Sequence, residues 1–164
     1  MPRRSIALDQ WEGAAKVSSG KSSFKAGDVL FGKLRPYFHK VAVAPVDGVC
    51  STDIVVLEGT RPAHAAFVTV CASSDEFVAY TNLTSDGTKM PRTSWTLMAR
   101  YPVTLPPPVI LDLFQRTAGP TIDRVIANVH ESCTLAATRD LLLPKLMSGE
   151  IRVKDAGKLA EAMA

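Results

Sequence analysis

Residues 101–114 read Tyr101-Pro102-Val103-Thr104-Leu105-Pro106-Pro107-Pro108-Val109-Ile110-Leu111-Asp112-Leu113-Phe114, and the three consecutive prolines separate two kinds of sequence. Proline lacks the N–H that a strand ladder or helix interior needs, but its fixed φ suits the first position of a helix. Downstream, Val109, Ile110, Leu113, Phe114 and Thr117 recur at steps of three and four. After Gly119-Pro120 the stripe resumes with Ile122, Val125, Ile126, Val129, Cys133, Ala136 and Ala137, and runs toward Leu141–Leu143. That period predicts an amphipathic helix, with a kink or short break at Pro120. It should finish between Lys145 and Ser148, with Gly149 as the residue just past its end. Ile151-Arg152-Val153 then reads as a short extended exit, and the Ala-rich remainder as a frayed tail.

Upstream of the prolines the pattern is that of strands and turns. Strands are expected at 28–31, 40–44 and 49–57, the last carrying β-branched Ile54-Val55-Val56. Pro36, Pro45 and Asp47-Gly48 divide them, the Asp-Gly pair by favouring positive φ. Phe67–Cys71 reads as a further strand. Ser73 or Ser74 then caps a helix through Leu83, with Asp75 and Glu76 in its first turn. Thr93 or Ser94 caps a shorter helical piece before an extended segment over 101–105. The expected fold class is therefore α+β. A mixed, mainly β domain covers 1–105, a long helical, coiled-coil-like arm covers 106–150, and a flexible tail covers 151–164. A helix rises about 1.5 Å per residue, so such an arm overhangs a domain of about 100 residues. Its stripe needs a partner helix, unless a break at Pro120 folds it back.

Composition bounds the function. With 164 residues, 46% hydrophobic and 21% charged, the chain has the make-up of one ordinary soluble domain. Its apolar runs are far shorter than a bilayer span, and no apolar segment follows Met1-Pro2-Arg3-Arg4, so a cytoplasmic location is expected. Cys50, Cys71 and Cys133 are widely spaced, which points to buried thiols and neither a disulfide framework nor a zinc site. The formal charge of +3 permits nucleic-acid binding without requiring it. Its distribution is more telling. Lys21, Lys25, Lys33, Arg35 and Lys40, with His39, stand against Asp28 alone, and Lys89, Arg92 and Arg100 fall in the acid-free interval between Asp86 and Asp112. A solvated face accounts for clusters of this size equally well.

Catalytic signatures are missing. Ala15-x-x-x-x-Gly20-Lys21-Ser22 matches a loose phosphate-binding loop, which alone would support a nucleotide hydrolase, but it neither leaves a predicted strand nor opens a predicted helix. No Asp or Glu precedes a lysine by two residues as in metal-dependent nucleases. Neither Asn82 nor Asn128 is followed by proline as in amino-methylase loops, and His39, His64 and His130 have no catalytic or metal-binding companions in sequence.

Four segments look specific without looking catalytic: Phe24–Val41 running on to Asp47–Asp53; Gly87-Thr88-Lys89-Met90-Pro91-Arg92; Leu105–Pro108; and Arg139-Asp140-Leu141-Leu142-Leu143-Pro144-Lys145-Leu146-Met147-Ser148-Gly149-Glu150-Ile151. In this order they resemble the target-recognition domain and following conserved helix of the specificity subunit of Type I restriction-modification systems, over residues 5–153. The full subunit of that family has two recognition domains separated by helices packed as an antiparallel pair. The resemblance thus implies a truncated half-subunit, lacking the N-terminal part of its domain, that reads double-stranded DNA. It also implies methylation and restriction subunits as partners. These would use S-adenosylmethionine, magnesium and ATP, whereas no cofactor site is visible in this chain. Lys33, Arg35, Lys40, Lys89 and Arg92 are the candidate DNA contacts, Arg92 also for a guanine edge. Arg35 has an alternative as a buried partner of Asp28 or Asp53, and Ser51-Thr52-Asp53 as a turn. Ile122, Val125, Ile126, Val129 and Cys133 are the candidate packing residues of a homodimer through the arm. The rival reading is a non-catalytic interaction or scaffold module that does not bind DNA.

Overall fold

The computed structural model describes residues 1–13 and 20–152. Among the described residues five strands and four helices follow one another: β1 (Lys21–Phe24), β2 (Val29–Gly32), β3 (Val41–Val43), β4 (Gly48–Ser51), β5 (Ile54–Leu57), α1 (Ala65–Ser73), α2 (Asp75–Leu83), α3 (Trp95–Met98) and α4 (Pro108–Met147). The fold is α+β. The chain divides into two compact units, Met1–Ile126 and Ala127–Ala164, so that α4 begins in the first and ends in the second.

An antiparallel sheet in the order β3-β2-β5 forms the centre of the first unit. Successive side chains of a strand point to opposite faces, and both faces here are covered. Val29, Phe31 and Val41 pack with Ala72, Phe77, Val78 and Met98 from the helices, while Leu30, Ala42 and Ala44 pack with Leu8 on the other side. Strand β5 contributes Val55 and Leu57 to the first cluster and Ile54 and Val56 to the second. Burial on both faces is the physical reason for its unbroken apolar run. The second sheet pairs β1 with β4, Phe24 opposite Gly48.

Several expectations are corrected. Residues 49–57 are not one strand: Thr52 and Asp53 turn the chain from the β1–β4 sheet into the three-stranded one, the Asp53 amide donating to Ser51 Oγ at 3.2 Å. Gly48 serves not by positive φ but by clearance, since a Cβ there would lie 2.8 Å from Phe24 Cζ. Strand β1 has a Lys-Ser-Ser-Phe sequence of little strand character and is set by its pairing with β4. Phe67–Cys71 is helical, within α1. Its Val68 and Val70 have strand propensity, but Ala66, Thr69 and Ala72 recur every three residues as the buried face, and tertiary burial outweighs local preference.

Helix α4 is continuous through Pro120, with no break. An interior proline forgoes one backbone bond at a cost of about 3 kcal/mol, and long flanking stretches absorb it because helix propagation is cooperative. The end at Met147 and the positive φ of Gly149 agree with the sequence reading, as do the Ser74 cap of α2 and the Ser94 cap of α3, whose hydroxyls accept from Phe77 N and Leu97 N.

Of the phosphate-loop match, Ala15 lies outside the described residues, and Lys21-Ser22 begins a strand, not a helix. The frayed tail likewise lies outside the described residues. Among the described residues no disulfide joins the cysteines, and burial raises the thiol pKa of Cys71 above its ordinary value. No described helix is long and apolar enough to cross a membrane.

Candidate nucleic-acid interface

The two basic segments, some fifty residues apart in sequence, meet through their backbones. Leaving β2, Lys33 donates its amide to Asp53 O at 2.8 Å, Arg35 to Pro91 O at 2.7 Å, and the Thr93 amide donates back to Lys33 O at 3.1 Å. Leu34 and Arg92 form an antiparallel bridge, and Arg92 pairs on its other side with Asp86, its amide donating to Asp86 O at 2.9 Å. Lys33, Arg35 and Arg92 are thus neighbours along the paired backbone, with Arg92 directly opposite Leu34 and so on the other face from Lys33. Lys40 joins them because Gly32 donates to its carbonyl at 2.9 Å. Lys89 is exposed on the loop that begins with Asp86-Gly87, where Gly87 takes φ of 91°.

Arg35 is paired with neither Asp28 nor Asp53. Asp53 Oδ1 holds Arg92 Nη2 at 2.7 Å, and Asp28 Oδ2 accepts from Lys25 N at 2.8 Å. Arg35 instead stands in a left-handed conformation, φ 51°, with its Nε buried and without a hydrogen-bond partner. It opens a single turn of tighter helix, Pro36–Phe38, that closes on His39 at φ 50°. Two left-handed non-glycine residues cost on the order of 1 kcal/mol each. The turn is held by the fit of His39, which is buried, with Nε2 2.8 Å from Ser73 O and Nδ1 3.4 Å from Asp75 Oδ1. The carbonyl of His39 also accepts from Arg4 N, which anchors the N-terminal segment beside the turn.

Two residues that sequence reasoning missed result from this geometry. Phe38 emerges from the turn with the Arg3 guanidinium 3.9 Å from its ring centroid, and Lys40 Nζ and the Arg35 guanidinium at 5.7 Å and 5.9 Å. The only sequence signal was an aromatic pair, Tyr37-Phe38, set among cations, because Arg3 lies some thirty residues away. Beside the ring a cavity of about 390 Å³ is lined by Arg35, Phe38, Lys40, Ser51, Asp53 and Met90, with a few aliphatic neighbours.

The arm residues fall into two groups. Ile122, Val125, Ile126 and Cys133 are half-buried and Val129 is buried within the single chain. Val125 lines a cavity of the first unit beside Arg4, His39 and Asp75. Among the described residues of the second unit, Leu135, Leu141, Leu143 and Met147 are the exposed large apolar side chains.

No family model matches the chain. Among its relatives is the Type I restriction enzyme EcoDI specificity subunit of Escherichia coli, 27% identical over 109 residues, which cover 61% of this chain and 24% of that protein. Another is the Type I restriction enzyme MjaIX specificity subunit of Methanocaldococcus jannaschii, 33% identical over 69 residues, 42% of this chain and 16% of that protein. Over the matched parts the chain is similar to Type I restriction enzyme specificity subunits, and it spans about a quarter or less of their length.

Proposed function

We propose that the chain recognises a DNA sequence without chemistry of its own, acting as a specificity half-subunit that directs methylation and restriction subunits to a split target. The observation that supports this reading is the backbone pairing of Lys33–Arg35 with Pro91–Thr93, which brings the two basic segments side by side, with Lys40 next to Gly32 and Lys89 on the adjoining loop. A recognition surface combines cations that position it on phosphates with side chains that read base edges. Arg92 is suited to the second role, since Asp53 orients its guanidinium, and the remaining cations to the first. Similarity to specificity subunits over part of the chain supports the same reading.

The test is binding to a pool of random duplexes over a range of salt. Neutralising phosphates releases counterions, so the logarithm of affinity should fall linearly with the logarithm of salt, by about 0.9 per phosphate neutralised, and repeated selection should enrich a sequence. Affinity without a salt slope, or no enrichment, would favour the rival interaction module, for which the exposed leucines of the arm are the supporting feature.

A further inference from the structure

The cavity beside Phe38 has a lining divided by chemistry. Phe38 and Met90 present an aromatic ring and a thioether, Ser51 and Asp53 present hydrogen-bonding oxygens, and Arg35 and Lys40 present positive charge. Arg3 lies 3.9 Å from the centroid of the Phe38 ring and is not part of the lining. Among the described residues none of Arg3, Arg35 and Lys40 is ion-paired. Asp53, which lines the cavity with Arg35 and Lys40, is engaged with Arg92 at 2.7 Å. A ring quadrupole attracts each cation but neutralises none. Arg35 and Lys40 outnumber the one acid of the lining, Asp53, which Arg92 already holds, and the buried Arg35 Nε has no partner, so the net charge of the lining suits an anion. A bare phosphate would leave the apolar walls without a partner, and an apolar ligand would leave the cations without one. A cavity of about 390 Å³ is of the size that takes a small ligand.

We infer that this cavity is a subsite for one nucleotide unit, its base against Phe38 and Met90 and its phosphate on Arg35 and Lys40. The inference deepens the DNA reading and rests on it for the source of the unit, an unstacked nucleotide of bound DNA. A free nucleoside monophosphate has the same chemistry, and the experiment separates the two.

The full chain is titrated with dAMP and, separately, with inorganic phosphate, following amide shifts by NMR. Base stacking should make dAMP bind roughly tenfold more tightly than phosphate. Phe38→Leu should abolish that preference and Phe38→Tyr should keep it, which distinguishes loss of the ring from loss of fold; Lys40→Gln should weaken both ligands. Equal affinities, or no saturable binding of either, would overturn the subsite. In the second arm, 2-aminopurine is placed at each position of the selected duplex. A rise in its fluorescence on binding, lost in Phe38→Leu, assigns the unit to DNA, while dAMP binding with silent 2-aminopurine overturns the DNA source in favour of a free nucleotide. Salt-dependent duplex binding without dAMP binding would end the subsite and leave the DNA reading standing. Binding of dAMP without affinity for any duplex would do the reverse.

Discussion

Arg35 combines a left-handed backbone with a buried, unpartnered Nε, two costs at one residue. Replacing it by glycine relieves the backbone and removes the orphaned donor. Arg35→Gly should therefore raise unfolding stability by up to about 1 kcal/mol while weakening DNA binding. A variant that is both less stable and unchanged toward DNA in thermal unfolding and anisotropy measurements would show that Arg35 serves packing. Lys89 and Arg92 have no such backbone strain, so Lys89→Ala with Arg92→Ala should leave the thermal midpoint within a degree or two of the parent. The logarithmic salt slope should flatten by about one for each phosphate that the variant no longer neutralises. Unchanged affinity and slope would return both residues to a solvated face. Asp53 is the counterpart in this pair. Asp53→Asn releases Arg92 and removes an acid from the proposed interface, so affinity should rise and the slope steepen, whereas a fall would assign Asp53 the task of aiming Arg92.

A side chain of α4 reaches helix α1: Gln115 Oε1 accepts from Ala66 N at 2.8 Å, supplying a cap that His64 does not provide. Gly119 makes room for it, because a Cβ there would meet Gln115 Nε2 at 2.6 Å. Gln115→Ala should cost about 1 kcal/mol as an N-terminal helical donor loses its acceptor. Gly119→Ala gains helix propensity of about 1 kcal/mol but displaces that side chain. The two changes are therefore coupled, and Gly119→Ala should be clearly stabilising only in the Gln115→Ala background. Additive effects in denaturant unfolding would show that the cap is idle. This link also marks how far the sequence was legible. Where local chemistry decides, as at Ser74, Ser94, Pro108 and Gly149, caps and boundaries could be read directly. Where partners distant in the chain decide, they could not: α1 looked like a strand until its face met the sheet, β1 exists through β4, and the Pro120 break was outweighed by the helix on either side. The candidate site divides the same way. Its cations were evident from charge distribution, but their convergence depended on backbone bonds between 33–35 and 91–93, and Arg3 and Phe38 depended on a turn with two left-handed residues.

Assembly must be argued from the apolar residues that the single chain leaves uncovered. Val125→Asp and Val129→Asp would be poor probes of a dimer, because Val125 lines a cavity of the first unit and Val129 is 7% exposed, so a buried carboxylate would destabilise the monomer itself. In the second unit Leu135, Leu141 and Leu143 stand 63%, 44% and 50% exposed; at about 100° per residue Leu141 and Leu143 lie on opposite sides of the helix, with Leu135 between them, and this is apolar surface that a partner would cover. We expect the arm to pack antiparallel on the arm of a second copy, in the isologous contact that most homodimers use. Sedimentation at high micromolar concentration should then report twice the chain mass of 17.6 kDa, and Leu135→Glu with Leu141→Glu should halve it without shifting the thermal midpoint of the parent. A monomeric parent would sink the homodimer and reserve the arm for a different subunit. Two-fold symmetry carries a further consequence at the level of DNA, since twin recognition units related by a dyad read inverted copies of one half-site. Sequences enriched by the intact chain should therefore contain an inverted repeat with a fixed spacer, and those enriched by the Leu135→Glu, Leu141→Glu variant a single half-site; an asymmetric target from the intact chain would contradict the symmetric pairing even if its mass were that of a dimer.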